Sequence, residues 1–224
     1  MSIEVFSFSY KNEARKGRMT RRFEVIGHPV TWVDPVLATD PRILVDEPAK
    51  RPYAIMFNHI DMIHAFLTKS TAEYGIFCED DIFIRKDFAR TVQIAIDGYK
   101  RNNFDVLLLG YLTNYKPVKI STEGGHALKE VPFTFISVPD SLWGSQMYMM
   151  NRVAAQKVYD AIYDPELVKH THFSPDWAIT KFGNAAAIYP MLAVEEGAVA
   201  TDHGGQINFH NECRAVNYDP KLHF

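Results

Sequence analysis

Only two cysteines, Cys78 and Cys213, occur in the chain, too few for a disulfide framework and not spaced as zinc ligands are. No apolar run approaches the ~20 residues that a membrane-spanning helix needs. The start, Met1-Ser2-Ile3-Glu4-Val5, lacks the basic and apolar regions of a secretion signal, and the chain is expected to be soluble and cytoplasmic. Excess positive charge is missing too: 24 Lys and Arg stand against 27 Asp and Glu, a net charge of -3, so no basic field marks a nucleic-acid partner. Repeats and low-complexity tracts are absent. Nor does a glycine-rich phosphate loop follow the first apolar run, since Lys11 to Met19 contains only Gly17.

What the chain does have is apolar content, 47% of 224 residues, enough to bury a core and consistent with residues 1–224 forming one domain. Ile3 to Tyr10 is rich in β-branched and aromatic residues and reads as a buried strand. Asn12 to Ile26 is helix-like, with Met19, Phe23 and Ile26 on one stripe and Gly27 placed to end it. Val30 to Val33 reads as a second strand ending at Asp34. Pro35, Pro41, Pro48 and Pro52 make the next stretch irregular. Helix over Ala54–Lys69, strand over Tyr74–Cys78, a helical stripe of Phe88, Val92, Ala95, Ile96 and Tyr99, and strand over Asp105–Leu109 continue the alternation. Thr113 to Trp143, with Gly124-Gly125 and three prolines, is expected to be a long functional loop. Gln146–Met150 reads as a strand, Asn151 as the cap of a helix facing the core with Ala154, Val158, Ala161 and Ile162, and Ala186–Tyr189 as a weaker strand before a tail containing glycine and histidine. The expected fold class is α/β with a mixed, mostly parallel central sheet flanked by helices.

Directly after the apolar run Tyr74–Cys78 come Glu79-Asp80-Asp81. Three adjacent carboxylates at the end of a buried strand repel one another unless a cation or protons offset them. In an open α/β sheet such a position is where ligands bind, and hard oxygen donors suit Mg²⁺ or Mn²⁺ with coordination positions left for phosphates. The bland alternative is a solvated acidic turn in which Asp80 or Asp81 caps a short helical segment.

Several short segments, in order, resemble glycosyltransferase family 25, a group with a GT-A fold. They are Val5–Met19 with Arg15 and Met19, Thr31–Val36 with Asp34, Phe57-Asn58-His59 with Asn58 in place of a serine, and Tyr74–Phe88 around the triplet. Trp143–Val158, Ser174-Pro175-Asp176-Trp177, and Tyr189-Pro190 with Glu195-Glu196-Gly197 complete the series. The resemblance implies a metal-dependent transfer of a sugar from a nucleotide-sugar, UDP-linked first of all, to a glycan or glycoprotein hydroxyl, and it favours inversion at the anomeric carbon.

Carried over by position, the resemblance makes Asp81 the principal ligand of Mn²⁺ or Mg²⁺, Glu79 a direct or water-mediated one, and Asp80 a contact to ribose or donor sugar. Asp176 is the candidate general base; the alternative is an N-cap of a helix beginning near Trp177. His203 is the candidate third metal ligand, with His210 behind it, although a lone histidine is more often structural. Arg15 and Arg18 offer themselves to the diphosphate, yet Arg18, Arg21 and Arg22 read better as a solvated basic face. Ser7, Tyr10, Asp34 and Gln146 complete the candidate nucleotide-sugar contacts. Trp143 offers either a face for a sugar or a plug for the core, and His59 and His64 are either near the site or structural. Two rival readings share the metal or the ligand: a Mg²⁺-dependent nucleotidyltransferase and a catalytically silent binding module.

Overall fold

The computed structural model describes residues 1–115, 133–162, 173–197 and 204–224. Its centre is a seven-stranded sheet in the order β2-β1-β3-β7-β5-β8-β6, made of β1 (Ile3–Phe8), β2 (Val30–Val33), β3 (Tyr74–Cys78), β5 (Val106–Leu112), β6 (Thr134–Ser137), β7 (Trp143–Asn151) and β8 (Ala185–Tyr189). Strands β2, β1, β3, β5 and β8 run one way, while β7 and β6 run against them. The expected mixed, mostly parallel α/β sheet is therefore present, with an antiparallel strand inserted at its middle. A second sheet pairs β4 (Ile82–Ile84) with β9 (Ala193–Glu195).

The central strands are continuous apolar runs because helices cover both faces. Side chains alternate along each strand. Phe6, Phe77 and Tyr148 lie side by side across β1, β3 and β7 and stack at 5.8 Å and 5.2 Å between ring centroids. They face α2 (Lys50–Lys69) and α4 (Arg152–Ile162). Val5, Ile76 and Met149 take the opposite face, under Met19 and Phe23 of α1 (Glu13–Val25) and the Phe88–Tyr99 stripe of α3 (Phe88–Asn102). Asn151 caps α4 through the Ala154 N–H at 2.8 Å, as expected, and Asn12 caps α1 by accepting the Arg15 backbone N–H at 3.0 Å.

Several boundaries differ from the sequence reading. Helix α2 begins at Lys50, because Pro52 sits in its first turn, where the missing N–H has no intrahelical partner to lose. Ala161 is exposed and Ala155 takes its place in the core. The expected Thr113–Trp143 loop contains edge strand β6; its Gly124-Gly125 lies outside the described residues. The tail holds a helix, α6 (Gly204–Asn217).

Strand β6 docks on α3 at Gly98, where an added Cβ would lie 1.9 Å from Phe135 Cζ. Gly98→Ala gains about 1 kcal/mol of helix propensity but forces the partly buried ring aside, at a cost of about 1–3 kcal/mol. The variant is expected to unfold at lower urea concentration with an unchanged slope.

Candidate functional site

The carboxyl ends of β1 and β3 and the amino end of antiparallel β7 meet at one edge of the sheet. The triplet leaves β3 there, and the Glu79 N–H donates to Gln146 O on β7 at 3.0 Å. Strand β9 runs back beside β4, opposing Glu195 to Ile82, while the Glu196 N–H donates to Asp81 O at 2.6 Å. Helix α6 places His210 Nδ1 at 2.7 Å from Glu195 Oε2. The short helix α5 (Pro175–Ala178) brings Asp176 to the start of β7, where Ser145 and the Gly144 N–H favour its charge. Three segments far apart in sequence, Glu79–Asp81, Asp176 and Glu195–Glu196, thus deliver carboxylates to one place, with β7 and α6 beside them.

The members of the triplet have different surroundings. Asp80 is 8% exposed and bonded by Ser9 Oγ and by Arg15 Nη1, the latter at 3.2 Å. Asp81 Oδ2 meets the same guanidinium at 3.5 Å, whereas its Oδ1 is buried and has no hydrogen-bond partner. Glu79 Oε1 accepts only a long bond, 3.4 Å, from Ser145. Burial, followed by Asp81, Asp176 and Glu195, pushes Glu79 well above the usual carboxylate range. Burial and Glu195, opposed by Arg15, push Asp81 up to about 7. Asp176 is raised by burial, against the pull of Ser145, the Gly144 N–H, Lys181 and His210. The bond to Glu195 raises His210.

Glu196 is different. Burial works against its charge, but Arg18 at 3.0 Å and Arg22 hold it below the usual range. Arg22 also donates to Ile82 O at 2.8 Å. Of the basic face expected of α1, Arg18 and Arg21 are exposed, yet Arg18 and Arg22 also fasten β9 beside the triplet through Glu196.

Among the described residues no three His, Cys, Asp or Glu side chains lie close enough to hold a metal ion by themselves. The donors nonetheless fit one divalent cation in an open site. They are hard oxygens, they raise one another's proton affinity, and Asp81 Oδ1 is an orphaned buried acceptor that a cation would satisfy.

Of the other expected contacts, Gln146 is 5% exposed with Oε1 unpartnered. Ser7 is fully buried, its Oγ turned to Phe8 O at 3.5 Å, and Ser9 is the serine that reaches the triplet. Tyr10 and Asp34 lie exposed beyond β1 and β2. His203 lies outside the described residues. Asp176 is in the first turn of α5, whose N-cap is Ser174. His59 is buried, kept neutral with its pKa lowered to about 3 by burial; its Nδ1 meets Tyr148 Oη at 3.0 Å and its Nε2 lies 4.0 Å from Glu79. His64 stacks on Tyr159 of α4.

Glu195, Glu196 and Ser9 were not among the expected site residues. The one signal for the pair was an acidic dipeptide after the apolar run Met191–Val194, the pattern that marked the triplet.

No protein-family model matches the chain, and no curated protein matches it in sequence. Similar chain courses occur in solved structures. One is a glycosyltransferase involved in the glycosylation of the major capsid of PBCV-1, with 11% identity and a TM-score of 0.44 over 77% of this chain and 69% of that one. Another is S. aureus TarS 1-349, with 14% identity and a TM-score of 0.47 over 86% of this chain and 59% of that one. A third is mouse xyloside xylosyltransferase 1 in its apo form, with 11% identity and a TM-score of 0.42 over 75% of this chain and 74% of that one. At scores and identities this low, none of these likenesses assigns an activity to this chain.

Proposed function

We propose that the chain is a metal-dependent glycosyltransferase of the GT-A type, taking a sugar from a UDP-linked donor to an acceptor hydroxyl. The observation that carries this reading is the partly buried group of carboxylates Glu79, Asp81, Asp176 and Glu195 at the sheet edge, with a single described arginine, Arg15, bridging Asp80 and Asp81. Such a site holds uncompensated negative charge until a cation enters, and a guanidinium beside it suits a diphosphate.

Asp81 would hold Mn²⁺ or Mg²⁺, with Glu79 directly or through water. When bound, the ion supplies positive charge against the diphosphate oxygens as the leaving group departs. Asp80, fixed by Ser9 and Arg15, faces the ribose or donor sugar, and Gln146 offers its free Oε1 to a donor hydroxyl. The acceptor oxygen forms a new bond to the anomeric carbon as the bond from that carbon to the diphosphate breaks. Asp176 takes the acceptor's proton, and the diphosphate leaves with the bonding pair. A base-assisted single displacement of this kind inverts the anomeric centre.

Nucleotide screening by thermal shift tests the reading. UDP with Mn²⁺ is expected to raise Tm, whereas UDP alone and Mn²⁺ with CMP are not. No shift with any of UDP, GDP, CMP and ADP in the presence of metal would overturn it.

A further inference from the structure

Strand β7 is buried from Gly144 to Met150, but its first residue, Trp143, is 40% exposed. It does not plug the core. Trp177 of α5 stands edge-to-face against it, with ring centroids 5.4 Å apart and planes at 81°. Lys181 holds this pair from one side, its Nζ 3.6 Å from the Trp177 ring centre and donating to Asp140 O at 2.7 Å. Both indoles are sequence neighbours of site backbone: Trp143 precedes Gly144, whose N–H favours the charge of Asp176, and Trp177 follows Asp176 directly.

Polar acceptors accompany the aromatic surface. Gly144 has φ +99°, and an added Cβ there would lie 2.1 Å from Gln146 Oε1, the buried amide oxygen with no hydrogen-bond partner. Only glycine lets the Gln146 amide lie back against this turn. An exposed indole face and a carboxylate within a few residues suit a ligand with one apolar C–H face and hydroxyls around its edge, which describes a pyranose ring, while the Gln146 oxygen behind Gly144 stays with the donor.

We propose that Trp143, backed by Trp177 and Lys181, is the platform on which a pyranose ring of the acceptor lies, with its reacting hydroxyl directed at Asp176. This rests on the glycosyl-transfer reading and gives it an acceptor class, a glycan rather than an aglycone hydroxyl. Charge separates the two substrates. Arg15, which suits the diphosphate, lies on the β1–β3 side of the acidic group, whereas the cation beside the indoles on β7 and α5, Lys181, is tied to the ring faces and to Asp140 O.

Saturation-transfer NMR on the whole chain, with methyl β-galactopyranoside and methyl β-glucopyranoside as probes and sorbitol as control, tests the platform. Saturation is expected on the C–H protons of one ring face of at least one pyranoside. Trp143→Ala should weaken that binding about tenfold, as for removal of an aromatic anchor, and Trp143→Phe should restore most of it. The melting curve and the UDP–Mn²⁺ shift should stay as in the wild type. Unchanged pyranoside contact in Trp143→Ala, or no contact with either pyranoside in the wild type, would overturn the proposal. So would a Trp143→Ala variant that loses UDP affinity while keeping pyranoside contact, since the indole would then serve the donor base. The donor reading has its own readout in the UDP–Mn²⁺ shift, so its failure shows separately.

Discussion

Asp81→Ala is expected to abolish the UDP–Mn²⁺ thermal shift and to lower sugar transfer by about 10³-fold, while the metal-free variant melts slightly above the metal-free wild type at pH 8. The two effects have opposite signs because they have one cause. Asp81 is partly buried beside Glu195 and Asp80, and its buried Oδ1 has no partner, so the ionised side chain costs the empty protein stability and serves the loaded one. Saturating ligand at about 100 Kd contributes about 2.7 kcal/mol, or roughly 5–10 °C in a domain of this size, and the variant forfeits it. A cation opposite a departing diphosphate is worth several kcal/mol in the transition state, hence about three decades of rate.

The pH dependence follows with a definite sign. The folded pKa of Asp81, about 7, lies above the ordinary value of 3.8. Between these values the native chain keeps a proton that the unfolded chain has lost, so metal-free stability falls as pH rises through that window. Mn²⁺ with UDP competes with the proton, and its stabilisation should grow over the same range. A metal-free Tm that rises from pH 5 to 7, or an undiminished shift in Asp81→Ala, would contradict this assignment.

How far the sequence disclosed the site depends on how each residue reaches it. The triplet was legible because β3 is buried on both faces, so an unbroken apolar run ends abruptly in charge. The cap Asn151 was legible because capping is local. Glu195 and Glu196 were not: they arrive through the pairing of β4 with β9, a contact no local pattern encodes. Helix α6 was hidden by Gly204-Gly205 at its start and a weak apolar stripe, so His210 read as an isolated histidine in a tail. Strand β6 is short, only half-buried and flanked by prolines, as edge strands are. Ser7 and Ser9 show the period of a strand end: Ser7 turns into the sheet, and the residue past the last ladder position reaches the ligand edge. Arg18 and Arg22 looked like solvated charge because their partner, Glu196, lies at the far end of the chain.

Asp176→Asn is expected to lower kcat by about 10²–10⁴-fold while the UDP–Mn²⁺ shift stays at its wild-type size. Asparagine is the informative replacement. Asp176 lies against Ser145 and the Gly144 N–H, which favour its charge, and an amide oxygen can keep the contact with that N–H, whereas alanine would leave a donor unpaired at about 1–3 kcal/mol where buried. The amide cannot take the acceptor's proton, so the loss should fall on kcat rather than on donor affinity. Burial holds Asp176 above the usual carboxylate range, so the wild-type rate should rise with pH along an acid limb displaced upward from that range, and in the variant this limb should be absent. A variant with wild-type kcat would move the base to another member of the carboxylate group, with Glu195, already paired to His210, next in line. A variant that loses the UDP–Mn²⁺ shift would instead make Asp176 part of the metal site.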